Sequence, residues 1–147
     1  MLTIKEIREA DVERIHQLEK EGFSDPWSAA GIRESLGQTY TILLGAWMSD
    51  ALVGYVICYC AADEAEIARI AVKTSCRRQG VATRLLEEMK KVCLNRQMEA
   101  ILLDVRKGNE AAVLFYKKSG FKEDGVRKDY YREPSEDAIL MSFRFGK

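Results

Sequence analysis

Arg77-Arg78-Gln79-Gly80-Val81-Ala82 stands between a hydrophobic run and an amphipathic stretch, an arrangement that builds an anion cradle. A loop that turns into a helix points its unpaired backbone N–H groups along the positive end of the helix dipole, so an anion is held largely by main chain. Gly80 permits close approach, Ala82 is too small to obstruct it, and Arg77, Arg78 and Arg84 add charge. Neither of the commoner nucleotide loops, G-x-x-x-x-G-K-[ST] or G-x-G-x-x-G, occurs in the chain. Further on, Asn109, Ala112 and Tyr116 are spaced by three and four residues and share one helix face. With Asn109 as the cap, Tyr116 lies two turns along, about 10 Å by helical rise, where a phenol can hydrogen-bond or protonate a group held by the cradle. The competing reading is a core tyrosine packed beside Phe115.

The elements that position these residues follow from period and punctuation. Residues 1–7 read as a strand, and Asp11 to Lys20 repeats Val12, Ile15 and Leu18 at helical spacing, leaving His16 on the polar face as a partly exposed surface histidine. Phe23-Ser-Asp-Pro-Trp-Ser breaks the chain, and Pro26 or Ser28 starts a second helix through about Leu36. Tyr40 to Met48 and Ala51 to Ala61 form a hairpin about Ser49-Asp50, and Glu66 to Val72 is a further strand. A helix from Arg78 to about Asn95 buries Leu85, Leu86, Met89 and Cys93. Ala100 to Val105 is a strand, Asn109 to Ser119 a helix closed by Gly120, and Phe121 to Asp129 and Asp137 to Phe145 are closing strands about a Tyr131 to Glu136 loop. The order predicts an α/β (α+β) fold with a mixed sheet of about seven strands and about four helices. A crossover through the Arg78 helix makes Glu66–Val72 and Ala100–Val105 parallel, and the cradle falls at the carboxyl end of a strand, where open α/β sheets place ligands.

A chain of 147 residues with 47% hydrophobic content is expected to form a single domain, residues 1–147, with one main site. Balanced charge, 23 basic against 23 acidic residues, gives no sign of a nucleic-acid or anionic-membrane binder, so charge must act locally. The start lacks the apolar core of a signal peptide and no apolar run is long enough to span a membrane, so the expected location is cytoplasmic. Cys58, Cys60, Cys76 and Cys93 lack paired metal-site spacings, and no metal is expected. They read as reduced thiols, with Cys58 and Cys60 on one strand face as small hydrophobes.

Ile70-Ala71-Val72, then Arg77-x-x-Gly80-x-Ala82, then Asn109-x-x-Ala112-x-x-x-Tyr116-x-x-x-Gly120-Phe121 resembles the GNAT superfamily of acetyl-CoA-dependent N-acetyltransferases. These motifs cover about a third of the chain in the right order, and the element order matches as well. The resemblance implies acetyl-CoA as cosubstrate. Ile70, Ala71 and Val72 would pair with the pantetheine arm, and Arg78, Gln79, Gly80, Val81, Ala82 and Thr83 would hold the pyrophosphate. Asn109 would contact the cofactor arm, and Tyr116 would protonate the departing thiolate.

Pro26-Trp27-Ser28, Leu103-x-Val105-Arg106, and Arg127-x-x-Tyr130-Tyr131 followed by Glu136-Asp137-Ala138-Ile139-Leu140-Met141 resemble the RimI family more narrowly. Its members acetylate the N-terminal alanine of the eighteenth small-subunit ribosomal protein, which implies that protein's N-terminus as partner. By the same resemblance Trp27, Glu66, Tyr130 and Tyr131 are substrate-side candidates, and the chain would act as a monomer or weak dimer. The family's general-base glutamate is Asp104 here, one methylene shorter, expected to act through a water with Glu66 in reserve. Arg69 replaces a small polar residue, and its direction is open. Asp63, Glu64 and Glu66, and Glu133, Glu136 and Asp137, are acidic clusters that would attract a basic peptide or simply be solvated turns. Two other readings remain: acetylation of lysine or a small amine, and a non-catalytic acyl-CoA-binding or interaction module.

Overall fold

The computed structural model describes residues 1–132 and 134–146. Among them seven strands, β1 (Leu2–Glu6), β2 (Thr41–Met48), β3 (Ala51–Ala61), β4 (Glu64–Val72), β5 (Ala100–Arg106), β6 (Lys122–Tyr131) and β7 (Glu136–Arg144), form one sheet in the order β1-β2-β3-β4-β5-β7-β6. Four helices, α1 (Val12–Gly22), α2 (Ala29–Leu36), α3 (Val81–Asn95) and α4 (Glu110–Lys118), cover its two faces. Only β4 and β5 pair in parallel, as the α3 crossover requires.

Alternation along the strands sorts the apolar residues into two cores. One face of the sheet packs Val56, Cys58, Ala65, Ile67, Ile101 and Leu103 against the α3 stripe of Val81, Leu85, Leu86, Met89 and Cys93, and against Tyr116 of α4. The other face packs Tyr55, Ile57 and Leu43 against Val12, Ile15 and Leu18 of α1 and Ile32 of α2. Gly54 lets α3 sit close, since a Cβ there would lie 2.9 Å from the Ala71 carbonyl and 3.2 Å from Val81. β6 is an edge strand whose residues are exposed from Lys122 to Tyr130, and its charged side chains discourage pairing with another chain.

Local signals placed the ends well. Ser28 accepts the Gly31 N–H at 3.0 Å as the N-cap of α2, and Asn109 accepts the Ala112 N–H at 3.2 Å as the N-cap of α4. The expected start of α3 at Arg78 is three residues early. Arg78 and Gly80 have φ of 64° and 81°, in the left-handed region that a right-handed helix cannot include, so α3 begins at Val81. The strand expected from Glu66 begins at Glu64, where its three-residue ladder with β5 starts.

Candidate active site

A wedge in the sheet organises the site. β4 and β5 pair only at Glu64–Glu66 with Ala100–Leu102, although β4 continues to Val72 and β5 to Arg106. Their far sides stay bonded to β3 and β7. Beyond Glu66 and Leu102 the two facing edges therefore present unpaired backbone N–H and C=O groups, which suit an amide-bearing arm laid between them. The divergence begins at a β-bulge: Ile57 faces Arg69 and Cys58 faces Ile67, leaving Ala68 unmatched in β4. Ile70, Ala71 and Val72 lie on the free edge that follows.

The cradle stands just past the end of that edge. β4 gives way to a 3-10 turn at Thr74–Cys76, and α3 starts with Gly80 as an N-cap that supplies no side-chain cap. The first α3 bond from this end joins the Arg84 N–H to the Gly80 carbonyl at 3.0 Å, so the N–H groups of Val81, Ala82 and Thr83 have no helical acceptor. Open space lies where a Gly80 Cβ would project. Arg78, Gln79 and Arg84 are exposed around it. Arg77 folds back, donating from Nε to the Val72 carbonyl at 3.2 Å, which ties the cradle to the end of β4.

Tyr116 comes from the α3/α4 side. It is 7% exposed, with its ring packed against Phe115 and Phe121. Burial is the main force raising its pKa, reinforced by the negative charge of Asp104, so its phenol keeps its proton across the neutral range. Asn109 is committed through its amide oxygen to capping α4, leaving its NH₂ group outside that bond.

Asp104 approaches from the opposite face. Leu103 and Val105 point into the α3 core, so Leu102, Asp104 and Arg106 alternate toward the α1/α2 side, the face that Glu66 also shares. The Tyr131 hydroxyl donates to Asp104 Oδ1 at 2.6 Å, and burial followed by this bond raises the Tyr131 pKa. Tyr131, a substrate-side candidate, thus bonds the carboxylate directly, while Tyr130 packs edge-on against it and is 44% exposed.

Arg106, which the sequence reading quoted without a role, secures this arrangement. Its guanidinium stacks on Tyr131, donates to Glu136 and reaches the carbonyls of Arg132 and Pro134. Glu136 also accepts the Gly108 N–H at 2.6 Å, and Asp137 accepts the Asp129 N–H at 2.9 Å. Both carboxylates thus hold backbone N–H groups in place, a role that the sequence reading did not assign to them; Glu133 lies outside the described residues. In the other cluster, Asp63 raises the pKa of exposed Glu99 and stands at the β3–β4 turn.

Arg69 is turned toward the segment that joins α1 to α2. Its guanidinium pairs with Glu19 at 3.1 Å, donates to the Asp25 carbonyl at 2.9 Å, and stacks on Phe23 and Trp27. Glu19 is fully buried and accepts in addition from the Trp27 N–H at 2.9 Å and from the Tyr55 hydroxyl. His16 is partly exposed, as expected, and in addition donates from Nδ1 to the Trp27 carbonyl at 2.9 Å. The segment joining α1 to α2, Trp27 included, is thereby fastened to β4. Glu19 was missed, although a signal existed: a glutamate four residues after Ile15 falls on the buried stripe of α1. Glu19→Ala would leave Arg69 without its buried partner and is expected to cost about 3–5 kcal/mol in urea denaturation. A loss under about 1 kcal/mol would show the pair to be energetically idle.

Among the described residues no group of three or more His, Cys, Asp or Glu side chains is placed to hold a metal ion, and no helix is long and apolar enough to cross a membrane. All four cysteines are free.

Residues 12–121 match the Acetyltransferase (GNAT) family model. The chain belongs to the GNAT acetyltransferase family. It is similar to the [ribosomal protein bS18]-alanine N-acetyltransferases of Haemophilus influenzae, with 30% identity covering 97% of this chain and 98% of the relative, and of Salmonella typhimurium, with 31% identity covering 97% of each. The crystal structure of the ribosomal-protein-S18-alanine N-acetyltransferase from Escherichia coli superposes with a TM-score of 0.91 at 27% identity, covering 100% of this chain and 96% of that one. The expected GNAT fold is the one observed, and the chain is an acetyl-CoA-dependent N-acetyltransferase.

Proposed function

We propose that residues 1–147 act as one domain in the cytoplasm that acetylates the N-terminal alanine of a small-subunit ribosomal protein. The observation that carries this reading is the wedge with its two opposite approaches: cradle and Tyr116 on one face of the sheet, Asp104 with Tyr131 on the other. Acetyl-CoA supplies a thioester; its pyrophosphate rests on the N–H groups of Val81 to Thr83 beside Arg78, Gln79 and Gly80, and its arm lies along Ile70–Val72 with Asn109 nearby. The amine arrives between Trp27 and the Tyr130-Tyr131 pair. An α-amino group has a pKa of about 7.7–8.0, so Asp104, alone or through a water, has only a modest task in removing its proton, with Glu66 next in reach. Tyr116 returns a proton to the departing sulfur. Direct attack suits these groups, since holding both reactants in line supplies much of the acceleration. The relatives whose names specify bS18 alanine point to the same acceptor.

The test is CoA release with two matched basic peptides, one with a free N-terminal alanine and one acetyl-blocked with an internal lysine. Turnover confined to the first is expected. Turnover on the second alone would assign a lysine acetyltransferase, and silence on both with acetyl-CoA bound would leave a small-amine acceptor or a non-catalytic module.

A further inference from the structure

A cleft of about 350 Å³ opens where the C-terminal end of α2 meets β3, lined by Glu34, Ser35, Gln38, Tyr40 and Tyr59. Tyr59 faces the α1/α2 side, where its hydroxyl lies 3.2 Å from Ser35 Oγ. Its direct cross-strand partner is Glu66, so the cleft continues the surface that carries Glu66 and Asp104. Tyr40, 49% exposed, tilts toward Tyr59 with ring centroids 6.2 Å apart.

The charge left without an ion-pair partner beside the cleft is negative, since Arg106 on the same face is engaged by Glu136. No ion pair among the described residues involves Glu34 or Glu66. The neighbouring Arg33 turns away to Glu9 and Glu13, and Arg69 is spent on Glu19 and Asp25. A carboxylate beside two aromatic rings, one presenting half its surface to solvent, is the chemistry that holds a cation. Position follows from strand geometry. Adjacent strands lie about 4.8 Å apart, and Asp104 is two residues beyond Leu102, which faces Glu66. Roughly 12 Å therefore separates Asp104 from Tyr59, the span of three to four extended residues.

We propose that this cleft is a subsite for a guanidinium or ammonium side chain carried three or four residues after the acetylated terminus of the acceptor polypeptide. The assignment rests on the reading that the acceptor enters on the Asp104 face. Glu34 supplies the charge, and Tyr40 and Tyr59 supply the faces on which the cation lies.

The experiment compares alanine-terminated peptides carrying arginine, or its neutral isostere citrulline, at the fourth position, assayed by kcat/KM on the whole protein. Arginine is expected to be preferred about tenfold, a preference that weakens in high salt. Glu34→Gln and Tyr40→Leu should each pull the arginine-to-citrulline ratio toward one, and arginine moved to the eighth position should gain nothing. Equal kcat/KM for the two peptides, or an unchanged ratio in Glu34→Gln, overturns the proposal. If no alanine peptide turns over while acetyl-CoA still binds, the acceptor reading itself fails, and the cleft is then judged by anisotropy of the same peptides labelled. A preference for arginine that Glu34→Gln removes supports the subsite, and equal binding overturns it.

Discussion

Tyr116→Phe is expected to lower kcat by about two orders of magnitude with the dissociation constant of acetyl-CoA nearly unchanged. Phenylalanine keeps the ring contacts with Phe115 and Phe121, so the core survives and only the hydroxyl is lost. That hydroxyl matters because it still holds its proton when the thiolate departs. Its pKa is raised by burial first and by the charge of Asp104 after it. A raised phenol pKa means the acid is present at every pH below its ordinary value of about 10 and somewhat beyond. The wild-type kcat should therefore show no fall between pH 7 and 10 attributable to Tyr116. Loss of acetyl-CoA affinity in step with kcat would make Tyr116 a binding residue instead.

Asp104→Asn should change the pH profile more than the maximum. Asparagine still accepts the Tyr131 hydroxyl, so the site keeps its shape while losing its base. With Asp104 present, the enzyme can take a protonated amine and remove the proton on board. Without it, only the amine already neutral in solution reacts, and that fraction falls about tenfold per pH unit below the α-amino pKa of about 7.7–8.0. The gap in kcat/KM between wild type and variant is thus small above pH 8 and is expected to exceed about tenfold by pH 6.5. Parallel profiles would remove the role from Asp104, and the same steepening in Glu66→Gln would hand it to the neighbouring strand.

Much of this chain could be read locally because its determinants are local. A 3.6-residue stripe, a Ser28 or Asn109 cap and a glycine after a helix act within a few residues, so all four helices and seven strands were placed to within a few positions. The cradle belongs to the same class, since the end of β4, Gly80 and the start of α3 are contiguous. What the sequence determined by itself was therefore the elements, their faces, and the motif order that resembles an acetyltransferase.

Only tertiary structure decided how far β4 and β5 stay paired, because the bulge at Ala68 depends on its register with β3. It also decided that Arg69 meets Glu19 fifty residues away, that Tyr131 reaches Asp104, and that Arg106 and Glu136 lock the late turn. The reason is physical. A buried charge must find a partner once water is excluded, and the partner is whichever opposite charge or donor the folded sheet brings within about 3 Å, a choice that no spacing along the chain encodes.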